Sequence, residues 1–263
     1  MGNLQKEIDF FHFISPKLLE LVSSYGRDIA IAKIKGGSDY ATEVDVAVEQ
    51  IIVAEIKKRF PEDHIMAEEE HSDTVIREGR IWIIDPICGT SNLARGIKNF
   101  CTNIALADKG KLVAACVVDH SQNDYVWSIG DGKIYVNNSL FHEPSEKPEI
   151  AVDVDFGALY AVDEKVKDEH GRAVSRLVKD SSYVLLSLNT SLSFFYVAIG
   201  KIDGFINVFN YPWDICAASF LIQQSGGIIT DLSGKPWSIS TKGAIGSKNK
   251  AIHQKLLDAY TQG

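Results

Sequence analysis

Three acidic stations lie far apart in this chain: Glu68-Glu69-Glu70, Asp85, and Asp214 within Trp213-Asp214-Ile215-Cys216. Carboxylates drawn from distant segments can converge on hard cations, which take oxygen ligands. The middle station sits in the most informative stretch, Ile81-Trp82-Ile83-Ile84-Asp85-Pro86-Ile87-Cys88-Gly89-Thr90-Ser91-Asn92. Its four leading apolar residues read as a buried strand, which Asp85-Pro86 is expected to end because the residue before a proline avoids the helical region. Gly89-Thr90 then offers a tight turn whose backbone N–H groups can face a phosphate. A carboxylate at a strand end beside such a turn suits a metal ion and a phosphate ester held together. Each acid also has an ordinary reading. A triplet of glutamates is commonly a solvated turn, Asp214 can cap its helix, Asp45 can complete a capping arrangement with Thr42, and Asp85 can serve the turn. The ordered set carries more weight than any one member.

The elements that must position these groups follow from periodicity. Leu4, Ile8, Phe11, Leu18, Leu21 and Val22 recur at helical spacing in the first thirty residues, with Pro16 expected to kink or divide that helix. Lys35 to Asp39 reads as a loop, and Thr42 opens a helix whose apolar stripe is Val44, Ala47, Val48, Ile51, Ile52 and Ile56, closed by Pro61. From Ile81 to Gly130 the pattern changes to strands, at 104–107, 112–118 and 125–129. The second half alternates. Strands are expected at 150–154, 183–187, 204–208, 228–230 and 244–246, and helices at 165–178, 191–199, 214–224 and 249–260. Gly226-Gly227 ends the helix that begins at Asp214. An antiparallel first half and an alternating second half predict a layered α+β / α/β protein. Residues 1–145 would form one subdomain and 146–263 the other, divided near the Pro- and charge-rich Glu143–Pro148.

The totals exclude several classes. The 263 residues carry a net charge of −8, which argues against a broad nucleic-acid footprint. An acidic protein handling an anionic ester needs local cations, and bound metal is one source. No apolar run approaches the roughly 20 residues that span a bilayer. The N-terminus lacks a basic region followed by an apolar one, and Lys6 stands where a myristoylation signal needs Ser or Thr. A cytoplasmic location and no membrane partner are therefore expected. The four cysteines show no CxxC spacing, and Cys101, Cys116 and Cys216 read as buried thiols of a reducing compartment.

From about residue 30 to the end, the chain resembles the inositol monophosphatase family. Lys35 through Asp45 is similar to its Lys…Asp-x-x-Thr-x-x-Asp segment, and Ala67-Glu68-Glu69 to its Gly-Glu-Glu. Asp85-Pro86-Ile87-Cys88-Gly89-Thr90 resembles Asp-Pro-Ile-Asp-Gly-Thr, and Trp213-Asp214 with Gly226-Gly227 resembles the family's C-terminal signature. The resemblance implies a five-layer αβαβα sandwich and a magnesium-dependent phosphomonoesterase acting on a small phosphorylated metabolite, commonly as a homodimer. Carried over by position, Glu69, Asp85 and the Ile87 carbonyl bind a first Mg2+; Cys88, Asp85 and Asp214 occupy the place of a second. Asp45 and Thr90 orient and deprotonate the attacking water, and the Gly89 and Thr90 amides hold phosphate. Glu68 stands at the edge of the site. Asp214 and Asn207 reach the substrate, Asn207 near the place of a glutamate that contacts a sugar hydroxyl.

Cys88 breaks the pattern. A thiol with an ordinary pKa near 8.5 is mostly uncharged at neutral pH, and its thiolate favours zinc or copper(I) over magnesium. Further departures fall at Leu185–Ser191, Ser219, Gln224 and Ser225, and they leave Asn189, Thr190, Ser191 and Asn207 as the lining of a different pocket. Three readings follow: a phosphatase with altered metal use, a weakened relative acting by binding or regulation, or an enzyme that reuses the cleft with Cys88 as nucleophile or acid–base group. No histidine near Cys88 in sequence supports the third.

Overall fold

The opening segment forms one helix, α1 (Gln5–Ser24), which Pro16 does not divide. A proline inside a helix costs about 3 kcal/mol. Phe10, Phe11, Ile14 and Leu18 flank Pro16 and are fully buried, each contributing about 1.5–3 kcal/mol, so burial outweighs the break. The computed structural model describes residues 4–26, 29–36, 39–74, 79–142 and 147–261. Met1–Asn3, the centre of the loop expected at Lys35–Asp39 and residues 143–146 of the expected division lie outside them. What surrounds that loop is an antiparallel hairpin of β1 (Ile31–Gly36) and β2 (Asp39–Thr42), which sequence periodicity did not disclose because β1 is largely exposed.

Next come α2 (Glu43–Arg59), β3 (His64–Ala67), β4 (Arg80–Cys88) and the short α3 (Thr90–Ala94). The strands β5 (Cys101–Asp108), β6 (Lys111–Asp119), β7 (Asp124–Ser128), β8 (Tyr135–Val136) and β9 (Ser139–Leu140) complete a seven-stranded sheet in sequence order. Only β3 and β4 pair in parallel; the other neighbours are antiparallel. Strand β4 does not end at Asp85-Pro86 as expected. It continues to Cys88, with the register against β5 shifting between Asp85 and Cys88. A bulge tolerates Pro86, whose missing N–H need not serve the ladder.

The second half supplies β10 (Ala151–Val154), α4 (Glu164–Asp180), β11 (Val184–Leu186), α5 (Leu192–Ala198), β12 (Gly204–Asn207), α6 (Pro212–Gln224), β13 (Ile228–Thr230), β14 (Ala244–Ser247) and α7 (Lys250–Thr261). Its sheet has the order β11-β10-β12-β14-β13; β10 runs parallel to both β11 and β12, and β14 antiparallel to β12 and β13.

Three apolar clusters define the layers. Phe10, Phe11, Val48 and Ile52 of α1 and α2 pack on Trp82, Ile84, Ile104 and Cys116 on one face of the larger sheet. On its other face, Ile83, Ala105 and Val117 meet α5 and α6 through Phe195, Cys216 and Phe220, and the same cluster reaches Phe205 and Ile229 of the second sheet. Leu177 of α4 and Ile252 and Leu256 of α7 cover that sheet's outer face over Val152, Ile206 and Ile245. The result is the expected αβαβα sandwich, with α5 and α6 as the middle layer. Cys101, Cys116 and Cys216 are buried free thiols, also as expected. Among the described residues no helix is long and apolar enough to cross a membrane.

Candidate active site

The acidic stations meet because their strands do. Ala67 at the end of β3 pairs with Ile84 of β4, so Glu68-Glu69 leave β3 beside Asp85 on the neighbouring parallel strand. The Glu68 N–H donates to the Ile84 carbonyl at 3.2 Å, which fixes the turn. From the β1 side, Lys35 Nζ lies 2.6 Å from Glu68 Oε1 and 2.7 Å from Glu69 Oε1. Burial works against the Lys35 charge, but the two carboxylates hold it above the ordinary lysine range. Burial and the neighbouring acids Asp214 and Glu69 push Glu68 up to about 8 despite Lys35.

Asp45 occupies the first turn of α2 and is fully buried. Its Oδ2 accepts the Thr42 backbone N–H at 3.0 Å and also the Thr42 hydroxyl, the capping role expected of it. Its Oδ1 accepts the Thr90 hydroxyl at 2.7 Å. Asp45 thus caps α2 with one oxygen and holds the Thr90 hydroxyl with the other. Thr90 Oγ1 also lies 3.0 Å from the Ile87 carbonyl. The turn that presents Thr90 needs Gly89: its φ is +102°, and a Cβ there would meet Asn99 O at 3.0 Å and Thr190 Oγ1 at 3.2 Å.

Asp85 is 1% exposed, and neither carboxylate oxygen has a hydrogen-bond partner among the described residues. Glu69 Oε2 is in the same condition. Donor atoms of Asp85, Cys88 and Asp214 all lie within 4.8 Å of one another. Asp214 is not an N-cap; it stands at the third position of α6, and its Oδ2 accepts the Tyr211 N–H at 2.6 Å. Burial, with Cys88, Glu68 and Asp214 nearby, raises Asp85 well above the carboxylate range, and burial pushes Asp214 up to about 7. The Cys101 thiol beside it and then burial raise Cys88 well above an ordinary thiol. Cys88 Sγ accepts the Ser191 N–H at 3.1 Å.

A cavity of about 180 Å³ opens on this cluster, lined by Glu68, Cys88 and Asp214 on one side and by Asp155, Thr190 and Asn207 on another. Asn207 does not touch the acidic cluster. It donates through Nδ2 to Asp155 Oδ2 at 2.7 Å, leaving its Oδ1 buried without a partner among the described residues. Asn189 and Ser191 line the cavity too, as their place in the sequence suggested.

Two residues escaped the sequence reading. Asp155 follows β10 directly, where a carboxylate at a strand end was a usable signal. Glu49 is 1% exposed and lies one turn beyond Asp45 on the same face of α2. Its two oxygens accept the backbone N–H groups of Glu69 and Glu70, each at 2.8 Å, and His71 Nδ1 lies 3.3 Å away. The i, i+4 spacing from Asp45 would have revealed it.

The family model for inositol monophosphatases matches residues 14–262, and the chain belongs to that family. It is 30% identical over 243 residues to the fructose-1,6-bisphosphatase/inositol-1-monophosphatase of Thermotoga maritima, covering 92% of this chain and 90% of the relative. It is 31% identical over 240 residues to the Nus factor SuhB of Pseudomonas aeruginosa, covering 88% and 86%. The solved inositol monophosphatase of Thermotoga maritima superposes with a TM-score of 0.83 over 97% of both chains at 27% identity.

The family depends on magnesium. The donors here fit one hard cation, because Glu69 Oε2 and both Asp85 oxygens are buried carboxyl oxygens with no partner among the described residues. They do not fit a second magnesium ion, because Cys88 offers a raised, neutral thiol where that ion needs an oxygen anion.

Proposed function

We propose that this protein hydrolyses a small phosphate monoester, of a sugar, inositol or related alcohol, in the cavity beside Asp85. The observation that carries the reading is the meeting of the unpartnered Asp85 and Glu69 oxygens with the Thr90–Asp45 pair. Glu69, Asp85 and the Ile87 carbonyl would hold one Mg2+, which when bound neutralises phosphate charge and acidifies a bound water. Thr90 orients the attacking water and takes its proton as it passes its own to Asp45, which burial has already made proton-accepting. The Gly89 and Thr90 amides hold the phosphate oxygens, while Asp214 and Asn207 bind hydroxyls of the alcohol. Glu68 and Lys35 balance charge at the rim. Cys88 leaves the second magnesium position weak, and loss of one such electrostatic contact costs about 10²–10³ in rate.

Cys88 also favours a second reading, a relative that acts by binding, and the similarity to a protein named as a Nus factor agrees with it. The deciding experiment measures phosphate release with magnesium over sugar, inositol, nucleotide and amino-alcohol phosphates, for the chain as it stands and for Cys88→Asp. Turnover by the unaltered chain supports the hydrolase. Activity confined to Cys88→Asp supports the binding reading, and inactivity of both on every ester refutes the hydrolase.

A further inference from the structure

We infer that Asp85, Cys88 and Asp214 form a site for a thiophilic divalent cation of the zinc class. The inference takes its place in the cleft from the phosphatase reading, but its test reads metal binding and not hydrolysis, so either can fail alone.

Four observations support it. The three side chains already present one sulfur and two carboxylate donors within 4.8 Å of one another. Around one zinc ion such donors would stand about 3.5 Å apart, so from separations of at most 4.8 Å the cluster has to tighten by at most roughly 1.3 Å. Asp85 is 1% exposed with both oxygens unpartnered, so two buried carboxyl oxygens face the cluster without a partner. Cys88 and Asp214 both line the cavity, which leaves an open side where a water or a substrate oxygen can complete the set. Three protein donors and one open position is the arrangement of catalytic zinc sites.

The sulfur is also held in place. Ser191 gives its backbone N–H to Cys88 Sγ at 3.1 Å, and the Thr190 hydroxyl donates to the Cys88 carbonyl at 2.9 Å. Ser191 is itself fixed, because Asn103 Nδ2 donates to its hydroxyl at 2.7 Å. Such outer contacts orient a ligating atom and strengthen it. Magnesium gains nothing from a sulfur, whereas zinc binds thiolate, carboxylate and imidazole alike. Binding breaks the S–H bond, forms the metal–sulfur bond and releases the thiol proton to water, with no change of oxidation state.

The test uses the whole chain, stripped with a chelator and titrated with cobalt(II) as an optical stand-in for zinc. A sulfur-to-cobalt charge-transfer band should grow in the near ultraviolet to one equivalent. Zinc should abolish it at one equivalent, whereas a large excess of magnesium should not. Cys88→Ser and Cys88→Asp should lose the band, and Cys88→Ser should lower zinc affinity more than about 100-fold, since changes to outer contacts alone cost 10–100-fold. Circular dichroism confirms that each variant is folded. The inference is overturned by a cobalt-saturated wild-type chain without the band, by an equal band in folded Cys88→Ser, or by displacement of cobalt by magnesium.

Discussion

Replacing Glu49 with glutamine tests how the metal loop is held. The carboxylate of Glu49 accepts two backbone N–H groups at 2.8 Å, from Glu69 and Glu70, in a site that is 1% exposed. Glutamine keeps the shape but has one acceptor oxygen, so its amide N–H2 must face one of the two donors. A hydrogen bond to a charged group contributes about 1.5–3 kcal/mol, and a buried donor left unsatisfied costs about 1–3 kcal/mol. The expected loss is about 3 kcal/mol, which for a chain of this size lowers the melting temperature by roughly 6–12 °C. The backbone released is that of Glu69, whose side chain would hold the first ion. Glu49→Gln should therefore also raise the magnesium concentration needed for half-maximal turnover, about tenfold or more by the measure of outer-shell contacts to metal ligands. The assays are thermal unfolding and a magnesium titration of phosphate release. Glu70→Ala is the control, because it removes an exposed side chain and keeps the amide. If Glu49→Gln melts like the wild type, or melts lower with an unchanged magnesium titration, Glu49 does not position the metal loop.

Thr90→Ala should lower kcat by about 10²–10⁴, the usual contribution of a positioned proton-transfer group, with KM little changed; steady-state kinetics at saturating magnesium reads both. Asn207→Leu removes the one unpartnered acceptor of that side chain and should raise KM about tenfold, with a smaller effect on kcat. A pH test falls on Asp153, away from the metal loop, where burial pushes the carboxyl up to about 6. A raised acid binds its proton more tightly when folded, so its favourable contribution is full below the ordinary aspartate value and is lost as pH climbs through about 4 to 6. Asp153→Asn, whose amide oxygen can still accept the Leu188 N–H, should flatten that part of the stability–pH profile and stabilise the protein by about 1–3 kcal/mol at pH 8, measured by denaturant unfolding.

The long periodic segments were legible: the stripe Val44, Val48, Ile52, Ile56 and the apolar runs of β4, β5 and β6 declare their elements because one face or both are buried. Exposed or very short elements were not. Strand β1 is largely exposed, β2 has four residues, and β8 and β9 have two each, so none leaves a pattern. At Asp85-Pro86 a local rule predicted a strand end, but pairing with β5 carried the strand onward. Within the site, Glu68-Glu69-Glu70, Asp85 and Asp214 stood out because carboxylates in separate segments share a chemistry, whereas the place of Asp45 rested on the family resemblance. Glu49 and Asp155 left only a helical spacing and a strand-end position as signals, while their contacts, to backbone amides and to Asn207, are created by the tertiary structure.

The cluster around Asp85 is drawn from the larger sheet and from the helix layer beside it: Asp214 rides on the first turn of α6, while Asp85 and Cys88 come from β4. During synthesis the N-terminal part of a chain emerges first, and it carries Asp45, Glu69, Asp85 and Cys88 long before α6 exists. An ion that requires Asp214 can be retained only once α6 is in place against the larger sheet. Retention of an Asp214-dependent ion would therefore mark the moment at which the sandwich closes, and a damaged middle layer would announce itself first as a failure to keep that ion, while an ion held by Glu69, Asp85 and Ile87 would be indifferent to it.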